Sequence, residues 1–90
     1  MKKIVFSIYD KKAGFFGPLM DYMKKGEVLR MFSDMVNEKA RPSMVAKHPE
    51  DYELYQLGSY ENVEGKVEGS NKVYIACGSD FIQTQVEKEK

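Results

Sequence analysis

The chain reads as an α+β domain: a small antiparallel sheet of three or four strands with one amphipathic helix, in the order β-α-β-β, and dimeric. Three observations carry that reading. Residues 4–9 place Ile4, Phe6 and Ile8 on one face at a two-residue period, as a half-buried strand does. Residues 24–37 switch to a helical period. Residues 52–60 are rich in aromatics and carry apolar groups on both faces, as in a central or interface strand. One helix covers only one face of such a sheet. The other face, or an open edge, then needs cover, and a second copy is the simplest cover for a chain this short.

Taken in order, Ile4-Val5-Phe6-Ser7-Ile8-Tyr9 forms the first strand, and Asp10-Lys11-Lys12-Ala13-Gly14 ends it. Gly14-Phe15-Phe16-Gly17-Pro18 is a loop, because Gly and Pro punctuate it. In the helix, Val28, Leu29, Met31, Phe32, Met35 and Val36 form an apolar stripe, with Glu27, Arg30, Ser33, Asp34 and Asn37 on the wet side. Glu27 near its start suits the positive end of the helix dipole. Residues 38–50 form a polar connector in which Pro42 and Pro49 hold Arg41 and His48 extended. In the second strand, Tyr52, Leu54, Gln56, Gly58 and Tyr60 share one face, and Tyr55 and Leu57 the other. Asn62-Val63-Glu64-Gly65 is a hairpin turn. Lys66-Val67-Glu68 returns as a short strand, Gly69-Ser70-Asn71 turns again, and residues 72–77 supply a further strand or docked segment.

Ninety residues make one domain, 1–90, with a tail that frays from about residue 84. The lone Cys77 excludes an internal disulfide and any zinc-type spacing, and fits a reducing compartment, the cytoplasm. The basic start is followed by too short an apolar run for a signal peptide, and no stretch is long enough to span a membrane. Net charge is zero yet unevenly spread. Residues 1–48 hold 10 Lys and Arg against 5 Asp and Glu, and residues 49–90 hold 4 against 9. Pairing of the halves, within or between chains, explains this more simply than a basic face for an anionic partner.

No catalytic set can be assembled. His48 beside Glu50 and Asp51 has no second histidine to complete a metal site, and Glu50 or Asp51 serves better as a turn acceptor after Pro49. Cys77 ends an apolar strand without a base nearby in sequence, the position of a small buried hydrophobe. Gly14, Gly17 and Gly58 lack the Gly-Lys-Ser/Thr ending of a phosphate loop. No cofactor or metal is expected. The basic residues are more informative. Lys2, Lys3, Lys11, Lys12, Lys24 and Lys25 flank a segment holding Phe15, Phe16 and Tyr22. Cations interleaved with rings suit single-stranded nucleic acid, the charges tracking phosphate and the rings stacking on bases. Taken alone, packing favours the opposite use, with the rings plugging the sheet or a dimer interface and the lysines as a solvated rim. Zero net charge argues against a strong duplex binder.

Two longer strings resemble a known family. Gly26-Glu27-Val28-Leu29-Arg30-Met31-Phe32-Ser33-Asp34-Met35-Val36-Asn37 is the first. The second runs His48-Pro49-Glu50-Asp51-Tyr52-Glu53-Leu54-Tyr55-Gln56-Leu57-Gly58-Ser59-Tyr60. With Ile8-Tyr9-Asp10, they are similar to the small nonstructural protein of gokushovirus-type microviruses, phages with single-stranded DNA genomes. The likeness covers most of residues 4–60, and thins after Glu61 to Gly65 and Gly78-Ser79-Asp80-Phe81. It implies a nonenzymatic protein of the host bacterial cytoplasm, absent from the virion. Such a protein would bind DNA or act where replication turns from duplex copying to single-stranded genome synthesis and packaging. It brings no catalytic residues.

The expectation is therefore a dimeric single-stranded DNA binder. Lys11, Lys12, Lys24, Lys25, Arg41 and Lys47 would contact phosphate, with Phe15, Phe16 or Tyr22 stacking. The alternative is a protein-interaction regulator holding a phage or host replication protein, such as the replication initiator, or the procapsid. It would do so through the acidic C-terminal half and an open strand edge.

Overall fold

The computed structural model describes residues 1–82. Five strands form one antiparallel sheet. They are β1 (Lys2–Asp10), β2 (Phe15–Phe16), β3 (Met20–Tyr22), β4 (Tyr52–Glu61) and β5 (Lys66–Cys77). β1 and β4 are central, β5 lines one edge, and β2 and β3 pair in succession along the other side of β1. Helix α1 (Lys25–Val36) crosses one sheet face, followed by a single turn α2 (Met44–Lys47). Short 3-10 turns occupy Pro49–Asp51 and Gly78–Phe81.

The expected α+β class is thus corrected: the chain is largely β, with five strands in the order β-β-β-α-β-β and one helix longer than a single turn among the described residues. The reason lies in residues 14–22. Two and three residues are too short to show alternation, and Gly17-Pro18 between them looks like plain loop. Their backbone nevertheless pairs with β1, because Tyr9 and Asp10 face Phe16 and Phe15, and Ile4 to Phe6 face Tyr22 to Met20. Asp10 builds the turn between them, its carboxylate accepting from the Lys12 and Ala13 amides. Gly14 there takes a positive φ of 83°. The expected break at Gly69-Ser70-Asn71 is also absent as a turn, since β5 runs through it with a register shift.

The core lies between α1 and the sheet. Phe6, Leu54, Val28 and Phe32 are fully buried, joined by Val36 and Val45. Leu29, Met31 and Met35 pack at the margin, so the helical stripe read from the sequence is the buried one. The helix starts as its charge pattern predicts, with the Glu27 carboxylate accepting from the Met23 and Lys24 amides. It ends at Asn37, whose side chain donates to the carbonyls of Ser33 and Phe81 and ties the end of the fold to α1.

One irregularity decides what faces where. β4 shifts register at Leu57: Phe6 opposes Gln56, but Val5 opposes Gly58. This bulge inverts the alternation beyond it. Tyr60, opposite Lys3, therefore joins the face of Tyr55 rather than that of Leu54. Gly58 permits the closest strand approach, since a side-chain carbon there would run into the Glu68 carbonyl oxygen. The expected fraying tail lies outside the described residues.

Candidate nucleic-acid interface

The sheet face opposite α1 carries the functional candidate. On β1 it presents Val5, Ser7 and Tyr9, on β4 Glu53 and Tyr55, and on β5 Tyr74 and Cys77. Four rings form a row across the sheet. Tyr9 and Phe16 centroids lie 4.8 Å apart, Phe16 and Tyr55 5.5 Å, and Tyr55 and Tyr74 5.7 Å. Tyr9 also meets Tyr55 edge-on at 6.3 Å. Edge-to-face contact fixes the rings against one another and leaves ring area facing outward. Tyr74 is 51% exposed, and Tyr9, Phe16 and Tyr55 are half-buried.

The charges around this row are few and placed. The Lys72 ammonium stands over Phe16 at 6.0 Å and over Tyr55 at 5.6 Å, a cation on two ring faces. The Tyr55 hydroxyl donates to Glu53 at 3.0 Å, and Lys11 stands 3.7 Å from the other Glu53 oxygen. Partial burial, followed by the Glu53 carboxylate, raises the Tyr55 phenol above its ordinary range. Burial and then the charge of Asp80 do the same to Tyr74. Both phenols stay neutral through ordinary pH, so the rings add no charge against phosphate to that of the Glu53 carboxylate beside them. Beneath the row, Ser7 is fully buried and satisfied by donating to the Gly17 carbonyl at 2.9 Å.

The sequence-predicted residues divide. Phe16 and Lys11 stand on the row or beside it. Lys12 follows in the same turn, exposed. Phe15 is 63% exposed but alternates to the other face, where it borders a groove with Met35, Met44 and Tyr52. Tyr22 packs on the core beside Phe6, 6.4 Å between centroids, so for this ring packing is the observed use. Lys24 and Lys25 open α1 next to β3, at the Ile4 end of β1, whereas Lys11 and Lys12 follow its other end. The two lysine pairs therefore do not form one patch. Lys47 closes α2 near the Lys11 end, where the Lys11 amide bonds the Asp51 carbonyl, and Arg41 lies in the loop before α2. Tyr9, Tyr55, Tyr74 and Lys72 were missed. The signal for them was the pairing of β1 with β4 and of β4 with β5, which puts three separated tyrosines side by side.

Two other constellations resolve locally. The 3-10 turn at Pro49 gathers one donor atom each from His48, Glu50 and Asp51 within 4.8 Å of one another. His48 and Glu50 are exposed, and exposed groups of this kind also gather without a metal. Cys77 is half-buried rather than buried, with its sulfur 3.8 and 3.7 Å from the Pro49 and Glu50 carbonyls and the Ser79 hydroxyl donating to it at 3.3 Å. Gly78 lets that segment pass against the Pro49 carbonyl. No helix among the described residues is long and apolar enough to cross a membrane.

Comparison with known proteins supports the resemblance read from residues 4–60. Protein ORF5 of Chlamydia phage 1 is 25% identical over 95 aligned positions, covering 100% of this chain and 99% of that protein. No solved structure matches. The family described as Phage ORF5 protein matches residues 3–81, from the first strand to the turn that closes β5. The residues that build the ring row all lie inside that match, and the chain belongs to the Phage ORF5 protein family.

Proposed function

We propose that this phage protein binds single-stranded DNA, without catalysis, on the open face of its sheet. The observation that carries the reading is the row of Tyr9, Phe16, Tyr55 and Tyr74 with Lys72 above it. Rings stack on any base and a nearby cation meets the backbone, which is how sequence-tolerant single-strand sites work. A duplex hides its bases and offers this platform nothing to stack on. In the host bacterial cytoplasm such binding would act where genome synthesis passes from duplex to single strands. The test is anisotropy of a labelled single strand and its matching duplex across a salt series. The single strand binds more tightly, with a log–log salt slope of about −0.7 per phosphate contacted. No binding of the single strand at low salt overturns the reading.

A second reading rests on the other end of the same face. There Leu19 and Val67, 65% and 64% exposed, border a hollow of about 210 Å³ with Val5 and Tyr60. Uncovered aliphatic groups of this kind favour protein contact, with a second copy of the chain or with a replication or procapsid protein. Sedimentation of the Leu19→Asp, Val67→Asp double variant tests the homodimer: a wild-type dimer becomes a monomer.

A further inference from the structure

We propose that Glu53, with Lys11, reads the Watson–Crick edge of a base stacked on the ring row and favours guanine. The inference rests on the single-strand reading above. Stacking alone hardly distinguishes the bases, because every base has a π-face. Any preference must come from polar groups at the rim of the rings. The Tyr9 and Tyr74 hydroxyls both donate and accept, so they suit any base edge, and the Asp80 carboxylate accepts from the Cys77 amide. The Ser7 hydroxyl is buried and already bonded to Gly17. Lys72 lies over the Phe16 and Tyr55 faces, so a base that stacks there displaces its ammonium toward the backbone charge. Glu53 is different. It opposes Tyr9 on one side and Cys77 on the other, and stands two residues before Tyr55 on the same face. Its side chain retains 20% exposure, and the Tyr55 hydroxyl holds one of its oxygens in place at 3.0 Å.

An ionised carboxylate only accepts hydrogen bonds and has about four lone-pair positions. The Tyr55 hydroxyl fills one of them. The Lys11 ammonium, 3.7 Å from the second oxygen, adds a donor beside the acceptors. A donor next to two acceptors is the complement of guanine's free edge, where the O6 acceptor adjoins the N1–H and N2–H donors. Cytosine and adenine place one amino donor beside a ring-nitrogen acceptor, which the carboxylate repels. Thymine has a single N–H between two carbonyls. The expected order is guanine first, with the other three bases below it.

The experiment uses labelled oligonucleotides of about 12 nucleotides, within the span of such sites. One is all thymine, and the others alternate thymine with guanine, cytosine or adenine. Each is titrated with the wild-type chain, Glu53→Gln and Lys11→Met. Glu53→Gln keeps the shape and a partner for Tyr55 but breaks the acceptor pair. The wild type binds the guanine-bearing strand about tenfold more tightly than all-thymine, the discrimination expected of one bidentate base contact. Glu53→Gln brings the two within about twofold, and its all-thymine affinity holds or rises as a negative charge leaves the phosphate path. Lys11→Met reduces the preference in part. A wild type that binds every strand alike overturns the inference and leaves the single-strand reading standing, as does a Glu53→Gln variant that keeps the tenfold preference. Failure to bind any strand removes both.

Discussion

The two faces of one sheet are built from different materials. Between α1 and the sheet lie aliphatic groups and buried phenylalanines, with Phe6 and Leu54 of the sheet and Val28 and Phe32 of the helix at zero exposure. On the opposite face the corresponding positions hold Tyr9, Tyr55 and Tyr74, rings with a polar end. The centre of a helix-covered face gains most from side chains without polar atoms, and the two phenols on this one sit at its margin, the Tyr52 hydroxyl bonded to Asp10. An uncovered face gains from rings that shield the strands and still tolerate water at one end. On the proposed reading, the difference separates stability from recognition along a single strand: Leu54 would serve the first and Tyr55, its neighbour, the second.

The contrast can be broken or sharpened by mutation. The largest effect is expected at Phe32→Ala, which empties the centre of the covered face and costs about 3–5 kcal/mol, measured by urea unfolding. In so small a domain that approaches the whole stability, and a cost below about 1 kcal/mol would abolish the distinction. Tyr74→Ala should do the reverse, weakening single-strand binding by about 1–3 kcal/mol while leaving the unfolding midpoint nearly in place. Lys72→Gln comes next, with the salt slope shrinking by about 0.7 and little change in stability. The Lys24→Ala, Lys25→Ala pair lies at the far end of β1 from Lys11, and its effect on affinity in the same assay should be smaller than that of Lys72→Gln.

The smallest effect concerns pH. Tyr52, Tyr55 and Tyr74 have phenols raised above the ordinary value, each mainly by burial. A raised phenol contributes stability that is complete below its unfolded value of about 10 and is lost as pH rises through the folded value. Thermal unfolding should therefore be insensitive to these groups near neutrality and fall slightly above about pH 10. Because the rings are partly exposed, the decline is modest. A decline centred near neutrality would contradict the environment described for these phenols.

Long periodic elements were legible and short ones were not. Residues 24–37 carried enough helical turns to identify α1 and its buried stripe, and 52–60 marked β4 to within a residue. β2 and β3 were illegible because strands of two and three residues are held by partners, not by a pattern of their own. The turns at Met44–Lys47 and Pro49–Asp51 were hidden in a polar connector for the same reason. The proposed site was half legible: Phe16 and Lys11 belong to the segment in which basic residues interleave with rings. Tyr55 and Tyr74 depend on the β4–β5 register, and Tyr60 on a bulge at Leu57 that alternation alone gets backwards.

The central strand pair also governs how the chain reaches this state. Lys2 lies opposite Glu61, and Asp10 opposite Tyr52. The heart of the sheet thus joins residues 2–10 to residues 52–61, which are made much later. A loop of that length must close before its contacts repay the lost freedom, so folding is slow for a domain of this size. On the ribosome, β1 can pair with β2 and β3 and receive α1, but the core closes only once β4, residues 52–61, has left the exit tunnel. A chain cut before β4 would be no small working unit but a substrate for proteases.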